Sequence, residues 1–271
     1  MSSISRIRFF ALLVALSLAS SAARGEEEKP VVSIKTKYIE AEVVIEAALH
    51  AYPKLYQTLN AEAKKDAEAS RKEAFESWKT DPALFREMKW SFDRNYRLRV
   101  AASPYVSVLT DTGTFTGGAH GNSLLETLLW DTITDRRAEM ETLFRETQKG
   151  GPAATALAKL VHDALVEEKK KRDVPIDEET ERWLEPIKAD FSTLGAPSLA
   201  PSNAAGRASG ITFHFSPYGV GPYAEGSYTA FVPFSSLAPY LTDEAKKIFG
   251  GEWPKSDEDE QGLAPPEGAR K

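Results

Sequence analysis

Cysteine is absent from this chain of 271 residues. Its absence excludes a disulfide framework and a thiol nucleophile. Hydrophobic residues make up 42% of the sequence, so we expect the fold to be stabilised by an ordinary packed core. The chain is long enough for one large domain or two small ones.

Histidine is scarce, because the chain has four: His50, His120, His162 and His214. No His-x-x-x-His pair occurs and none of them has a partner at metal-ligand spacing, so we expect no metal. Glycines border His120 within two positions on each side. A ring in such a flexible segment can act as a metal ligand or a general base. The alternative, which we favour, is a hairpin bend in which His120 bonds a nearby carbonyl group.

Known catalytic motifs are also missing. The chain has no Gly-x-Ser-x-Gly elbow and no Ser-x-x-Lys motif. The glycines of residues 117–121 are not followed by the Gly-Lys-Ser/Thr ending of a phosphate-binding loop. Carboxylates are abundant, but a sequence does not show the separation that defines a glycosidase pair. We therefore expect no catalytic residue and no cofactor, and favour a non-catalytic protein.

The chain has only one long apolar run, which lies near the amino terminus. Arg6 and Arg8 precede an apolar stretch from Phe9 to Ala19, and small residues follow at 20–23. This order is typical of a secretory signal peptide, residues 1–23, cut after Ala23. The run of about 11 residues is shorter than the roughly 20 of a transmembrane helix, although an uncleaved anchor is an alternative. We expect a periplasmic or secreted protein without a membrane span after cleavage.

The chain has fewer basic than acidic residues. Lys and Arg number 34 against 40 Asp and Glu, a net charge of -6 that becomes -8 when Arg6 and Arg8 leave with the signal peptide. Nucleic acids and anionic lipids bind clustered Lys and Arg, so we expect no nucleic-acid partner. A cationic partner suits this charge better.

Apolar periodicity predicts the secondary structure. Residues 31–45 alternate as one or two strands, 53–79 show helical spacing, and 90–130 form a strand-rich block that includes the glycine run. A second amphipathic helix is predicted for residues 152–172 and a third for 177–191. These elements alternate without a regular βαβ pattern, which predicts an α+β fold with an antiparallel or mixed sheet packed against two or three helices.

The remaining segments are assigned by composition. The charged run 167–172 is predicted to be the solvated end of the second helix. Residues 195–210, rich in Gly, Pro, Ala and Ser, are predicted to be a loop. Strands at 211–216 and 228–234 are expected to form a hairpin, and a last helix is predicted for 237–249.

Two further segments have distinct compositions. The strand ending near Trp130 enters a tight turn in which Thr134 and Asp135 are predicted to bond their own backbone. Residues 255–271 combine acidic residues with prolines and have few apolar ones. We predict that they form a disordered acidic tail.

Two turn-rich loops carry the candidate functional residues. The first reads Thr-Gly-Gly-Ala-His-Gly-Asn at residues 116–122, and the second spans residues 215–226 and includes Tyr218 and Tyr223. Rigid amphipathic rings of this kind bind proteins or sugars at low entropic cost. The alternative is that these tyrosines pack down over the sheet.

The two loops together resemble a known family. It is the extracytoplasmic domain of unknown function shared by the lysozyme-responsive anti-sigma factor of Gram-positive bacteria and the non-catalytic region of peptidoglycan deacetylases. In that family a Thr-Gly-Gly-Ala-His-Gly run precedes an Asp-x-x-Thr-Gly turn and a Pro-Tyr-x-x-x-Pro-Tyr-Ala-x-Gly hairpin. This chain matches the family at the following positions: Asp131, Thr134, Pro217, Tyr218, Pro222, Tyr223, Ala224 and Gly226.

The resemblance covers roughly residues 31–250 and divides them in two. Residues 31–115 correspond to the companion region of the family, and residues 116–250 correspond to the domain itself. Asp135 departs from the family's frequent glycine. Neither a sigma-binding segment with a transmembrane helix nor a deacetylase domain with metal-binding motifs is recognisable, so neither activity carries over.

The resemblance implies an exported, non-catalytic binding or sensor-like domain of the cell envelope. Its expected ligand is a lysozyme-like protein or peptidoglycan. The candidate ligand-binding residues are His120, Asn122, Tyr218, Pro222 and Tyr223. Alternatives are an envelope hydrolase, similar to a glycan deacetylase, that uses His120 with carboxylates, and a structural periplasmic protein. A deep pocket with His120 and two carboxylates favours the enzyme, and an open aromatic patch favours binding.

Overall fold

A computed structural model describes residues 28–254 and shows the predicted α+β fold. The predictions for the signal peptide at 1–23 and the acidic tail at 255–271 lie outside the described residues. Within residues 28–254, no helix has both the length and the apolar character needed to cross a membrane.

Six strands form a mixed sheet in sequence order. All neighbouring strands are antiparallel except the second and third, which are parallel. A parallel pair needs a crossover connection, and a helix, α1, provides it here. The strands are β1 (Val32–Lys35), β2 (Ile39–Ile45), β3 (Trp90–Ala102), β4 (Tyr105–Phe115), β5 (Asn122–Asp131) and β6 (Arg136–Ala138), and α1 spans Pro53–Thr80.

The predicted helix at residues 53–79 is confirmed, and it covers one face of this sheet. Its buried residues recur at intervals of four or seven positions along one side, so they form a stripe that packs on the strands. The Arg94 guanidinium on β3 also binds the Asp66 carboxylate of α1, at 2.6 Å. The buried residues of the stripe are Leu55, Leu59, Ala63, Ala67 and Ala74.

A second, three-stranded sheet lies against the opposite face. Its strand order is β7-β8-β9, with both pairs antiparallel, so the predicted hairpin is confirmed. Helix α2 packs on β9, while β7 contacts β3, β4 and β5 of the large sheet. The elements are α2 (Pro152–Lys171), α3 (Glu178–Leu184), β7 (Ala196–Ala200), β8 (Gly210–Phe215), β9 (Tyr228–Pro233), α4 (Phe234–Leu237) and α5 (Asp243–Lys246).

Four single-turn 3-10 helices occupy the connections between these elements. They are Ala47–Ala51, Met140–Leu143, Phe191–Thr193 and Tyr223–Glu225. The second of them buries Met140 and Leu143.

The predicted loop at residues 195–210 is wrong in its first part, because β7 forms there. Pro197 is paired with Phe213 of β8. Since β7 is an edge strand, a residue without a backbone N–H is tolerated at this position. Composition alone therefore did not predict this strand, in which Ser198, Leu199 and Ala200 are fully buried.

Two predicted helices are shorter than expected because prolines interrupt them. The third helix ends at Leu184, just before Pro186, which has no N–H to continue the helical hydrogen bonds. The helix predicted at 237–249 is replaced by the separate turns α4 and α5. Pro239 lies between them, and the Thr242 hydroxyl caps α5 by accepting a bond from the Ala245 amide at 3.1 Å.

The turn after β5 is stabilised by a different residue from those predicted. The Asp131 carboxylate accepts hydrogen bonds from the amides of Ile133 and Thr134, at 2.8 and 3.3 Å. Asp135 adopts a φ of 51° in the left-handed region. Its position explains why glycine suits this turn, and Asp is among the residues that tolerate such a φ.

Candidate ligand-binding site

The two predicted loops lie side by side at one edge of the large sheet. The Tyr223 hydroxyl donates a hydrogen bond to the Gly121 carbonyl at 2.9 Å, across 102 residues of sequence. The Ser216 hydroxyl accepts a bond from the Leu125 amide at 2.8 Å. Strand β5 pairs with β6 only at residues 129–131, so its edge near Leu125 is otherwise open. The second loop covers that edge.

Three rings meet where the loops touch, and we call His120, Tyr218 and Tyr223 the aromatic patch. The His120 and Tyr223 rings stack with centroids 3.8 Å apart and planes inclined by 22°. The Tyr218 ring lies 5.6 Å from Tyr223 and 6.5 Å from His120. Both His120 and Tyr218 are exposed, the latter by 53%. Tyr218 therefore does not pack down over the sheet, whereas Tyr223 is half-buried.

The hydrogen bonds of His120 match the hairpin interpretation. Its Nδ1 lies 2.8 Å from the Gly121 carbonyl oxygen. Because a carbonyl only accepts, the ring donates from Nδ1, which leaves Nε2 as the second polar atom of the ring. The same carbonyl accepts the Tyr223 hydroxyl, so one backbone oxygen fixes both stacked rings.

Glycines make the first loop possible. Gly117 and Gly118 adopt φ values of 100° and 104°, which side chains other than glycine rarely tolerate. At Gly121, a Cβ atom would lie 2.9 Å from the Thr114 carbonyl oxygen. The loop therefore needs glycine where β4 turns into β5, and this turn presents His120 outward.

The other two predicted site residues flank the aromatic patch without adding a ring contact. Asn122 is exposed at the start of β5, paired with Thr114. Pro222 is half-buried and precedes the 3-10 turn that carries Tyr223. Leu124 was not predicted, yet it is 48% exposed and shares its strand face with Asn122.

A buried ion pair anchors the second loop from below. The Lys169 Nζ donates to the Glu225 carboxylate at 2.7 Å, and the Tyr228 hydroxyl donates to the same carboxylate. The Tyr228 ring lies between two cations, with Lys169 Nζ at 4.3 Å and Arg172 Cζ at 4.2 Å from its centroid. Arg172 also donates to the Ser227 carbonyl at 2.8 Å. Helix α2 thus holds the loop that carries Tyr223.

Sequence reasoning missed this anchor, because the run 167–172 was predicted to be solvated. Lys169 is fully buried instead, whereas Lys170 forms an exposed pair with Glu167 at 2.7 Å. Its position in the sequence indicated burial, because Lys169 continues the apolar stripe of α2 four residues after Leu165. Burial and the Glu225 carboxylate raise the pKa of Tyr228, so its hydroxyl stays protonated and keeps donating.

His120 lies on an exposed surface, and its surroundings define the chemistry open to it. In the part of the chain that the structure describes, no three His, Asp or Glu side chains are grouped so that they could hold a metal. His120 is exposed, and its polar contact is with a backbone carbonyl rather than with a carboxylate. The deep pocket with two carboxylates that the hydrolase alternative requires is not formed around His120 in residues 28–254.

Comparison with known proteins agrees with the resemblance predicted from the two loops. Residues 26–123 match the family model described as deacetylase PdaC, and residues 141–235 match the model described as a protein of unknown function, DUF3298. The chain therefore has one region similar to each of these models, which confirms that resemblance. No curated protein matched the chain.

The solved structures that are similar to this chain include two members of the DUF3298 family. A DUF3298 family protein from Pseudomonas aeruginosa PAO1 is 15% identical, with a TM-score of 0.48, over 79% of this chain and 88% of that one. A member of the DUF3298 family from Bacteroides fragilis NCTC 9343 is 17% identical, with a TM-score of 0.44, over 79% and 90% of the two chains.

Proposed function

We propose that this chain is an exported, non-catalytic binding domain of the cell envelope. Support comes from the region similar to the model of unknown function, DUF3298, which follows the region similar to the model described as deacetylase PdaC. The aromatic patch is its binding face, flanked by Asn122 and Pro222. Peptidoglycan is the ligand that this face fits best.

The observation that carries the proposal is the group of three rings, in which His120 and Tyr218 are exposed and Tyr223 is half-buried. His120 and Tyr223 are in face-to-face contact at 3.8 Å, and Tyr218 extends the same surface. Aromatic faces pack well against the C–H faces of sugar rings, while the Tyr218 hydroxyl and the Nε2 atom of His120 remain available for sugar hydroxyl groups. The rings are already fixed by the Gly121 carbonyl, so little conformational entropy is lost on binding.

Charge favours a glycan over a cationic protein at this face. The net charge of -6 comes from elsewhere in the chain, because residues 116–124 contain no acidic or basic side chain apart from His120. In the second loop, Glu225 is already paired with Lys169. A lysozyme-like protein would need a negative patch for electrostatic complementarity, whereas a neutral aromatic face suits uncharged sugar rings.

Retention on insoluble peptidoglycan tests the proposal. The purified protein should sediment with peptidoglycan at both low and high salt, because contacts between neutral rings and sugars are weakly screened. Tyr223→Ala and Tyr218→Ala should each lose most of the retention. Tyr56→Ala is the matched control, since Tyr56 also contacts a histidine, His50, with centroids 4.4 Å apart, but lies on α1.

The same assay with immobilised lysozyme separates the two ligand classes. Retention on lysozyme alone, lost at high salt, would identify a protein ligand and reject the glycan. If neither matrix retains the protein, or if Tyr56→Ala behaves like Tyr223→Ala, the aromatic patch is not the binding face.

Export is tested separately from binding. We propose that residues 1–23 are a signal peptide, so protein recovered from the periplasm or medium should begin at Arg24. The mass of the recovered chain measures this directly. A chain that retains Met1 and stays with the membrane fraction would instead support the uncleaved anchor.

A further inference from the structure

A cavity of about 410 Å³ lies on the face of the large sheet opposite α1, beneath the three-stranded sheet. It is separate from the aromatic patch, although both occupy the end of the β8–β9 hairpin from which the second loop leaves. Its size is at the lower end of the roughly 300–1,000 Å³ typical of small-molecule sites. Charged lining residues are Glu28, Glu46, Arg97, Arg99 and Asp111, and polar ones are Asn95, Tyr96, His214 and Thr229. The Glu28 and Glu46 carboxylates already accept hydrogen bonds from the amides of Ala47 and Leu98, each at 2.6 Å.

Strand pairing places opposite charges on one wall of this cavity. Arg97 of β3 pairs with Leu109 of β4, and Asn95 pairs with Asp111. Arg97 and Asp111 are therefore diagonal neighbours on the same face, about 7–8 Å apart at their Cα atoms and within reach of long side chains. Yet neither the Arg97 guanidinium nor the Asp111 carboxylate forms a hydrogen bond or ion pair with any residue of 28–254.

The opposite wall presents a buried polar atom without a partner. His214 is 2% exposed, and its Nε2 lies 2.8 Å from the Ser198 hydroxyl. Its Nδ1 has no hydrogen-bond partner among the described residues. A buried polar atom that forms no hydrogen bond costs free energy, so this nitrogen favours a ligand or a water molecule that bonds it.

We propose that this cavity is a second binding site, which takes a small zwitterion of amino-acid to dipeptide size. The ligand carboxylate pairs with Arg97, its ammonium group pairs with Asp111, and a polar group between them bonds Nδ1 of His214. A purely anionic ligand would face the carboxylates of Glu28, Glu46 and Asp111, and a purely cationic one would face Arg97 and Arg99. A ligand with both charges compensates both side chains.

Titration calorimetry with glycylglycine and alanylalanine tests this assignment. At least one dipeptide should bind saturably, while acetate and methylamine, which carry one charge each, should bind at least about tenfold more weakly, equivalent to about 1.4 kcal/mol. Arg97→Gln and Asp111→Asn should each weaken dipeptide binding by about tenfold or more. Arg86→Gln, at an exposed position outside the cavity, is the control for lost charge and should bind normally.

Nitrogen NMR of the histidine rings gives a second readout. The Nδ1 resonance of His214 should move on addition of the bound dipeptide, whereas that of His50 should not. Tyr223→Ala should bind the dipeptide as the unmodified protein does, so failure of the peptidoglycan assay and failure of this one are distinguishable. The proposal is overturned if neither dipeptide binds up to about 10 mM, if acetate binds equally well, or if Arg97→Gln has no effect.

Discussion

Lys169 and Glu225 form an ion pair that joins helix α2 to the loop of the aromatic patch. The Lys169 side chain is 1% exposed and that of Glu225 is 21% exposed, with Nζ and Oε2 at 2.7 Å. Removing two charges from water is costly, and only good geometry with further hydrogen bonds compensates. Here the Tyr228 hydroxyl and ring supply those contacts. The position of Tyr223 therefore depends on a residue of a helix distant in sequence.

Lys169→Met should destabilise the protein by about 3 kcal/mol, because it leaves the Glu225 carboxylate without its cation in a partly buried site. Urea denaturation measures this as a lower midpoint. The double variant Lys169→Met/Glu225→Gln should recover part of the loss, since the unpaired charge is gone. Lys170→Met is the control, because Lys170 is 54% exposed in its pair with Glu167 and such pairs contribute about 0–1 kcal/mol. Equal effects of the two lysine variants would contradict a buried anchor.

Gly221→Ala should destabilise the protein through the same anchor. A Cβ atom at Gly221 would lie 2.5 Å from Glu225 Oε2 and 3.0 Å from Lys169 Nζ, so the ion pair has to shift. We expect a loss of about 1–3 kcal/mol, which is typical of overpacking. Gly113→Ala is the matched control, because nothing lies within 4 Å of its Cβ position.

A double-mutant comparison shows whether the clash acts on the ion pair. In a Lys169→Met background, Gly221→Ala should cost less than it does alone, since the pair is already broken and the two changes share one cause. Strict additivity of the two free energies of unfolding would mean that Gly221 acts elsewhere.

The sequence predicted elements whose periodicity is strong and missed those set by tertiary context. The helix at 53–79 follows from its apolar stripe, which α1 reproduces. Strand β7 carries a proline and small residues, so its local propensity is weak, and it forms because β8 and the large sheet bury it. Prolines at 186 and 239 were visible signals for helix ends, but apolar spacing was given more weight.

The sequence singled out the loop residues of the candidate site, but it did not predict the buried ion pair that holds the second loop. The resemblance to a family brought the loops of His120 and Tyr223 together, although no local pattern links residues so far apart in sequence. Lys169 was missed because its charge was weighed above its helical position. His214 was not recognised as buried, because a strand in which polar and apolar residues alternate usually has one solvated face. All six residues of β8 are buried, since it is the central strand between two layers.

His214 should make the protein less stable in mild acid. Burial, with Arg99 and Arg97 nearby, lowers the pKa of His214 from 6.5 to about 3. The folded state therefore keeps this ring neutral, while the unfolded state takes up a proton below its ordinary pKa. The contribution of neutral His214 to the free energy of unfolding is complete above pH 6.5. As the pH falls from 6.5 towards 3, this contribution is lost by about 1.4 kcal/mol per pH unit.

His214→Gln removes the side chain that takes up a proton on unfolding. The free energy of unfolding of this variant should therefore depend less on pH. Urea denaturation at pH 7.5 and pH 5 should show that the stability gap between the unmodified protein and the variant narrows by about 2 kcal/mol at the lower pH. His50→Gln, at an exposed ring, should keep the steep dependence. A gap between His214→Gln and the unmodified protein that stays constant with pH would show that His214 is already protonated in the folded state at pH 5, or that it titrates equally in both states.

Tyr223→Phe separates the two roles of this side chain. The variant loses the hydrogen bond to the Gly121 carbonyl but keeps the ring that stacks on His120. We expect a loss of about 1 kcal/mol in stability, typical of one hydrogen bond, because the half-buried carbonyl still has the Nδ1 donor of His120. Peptidoglycan retention should persist, since the aromatic face remains. Tyr223→Ala should lose both stability and retention. If Tyr223→Phe abolishes retention while the fold stays intact, the hydroxyl rather than the ring face contacts the ligand, and the stacking argument for a sugar ligand is wrong.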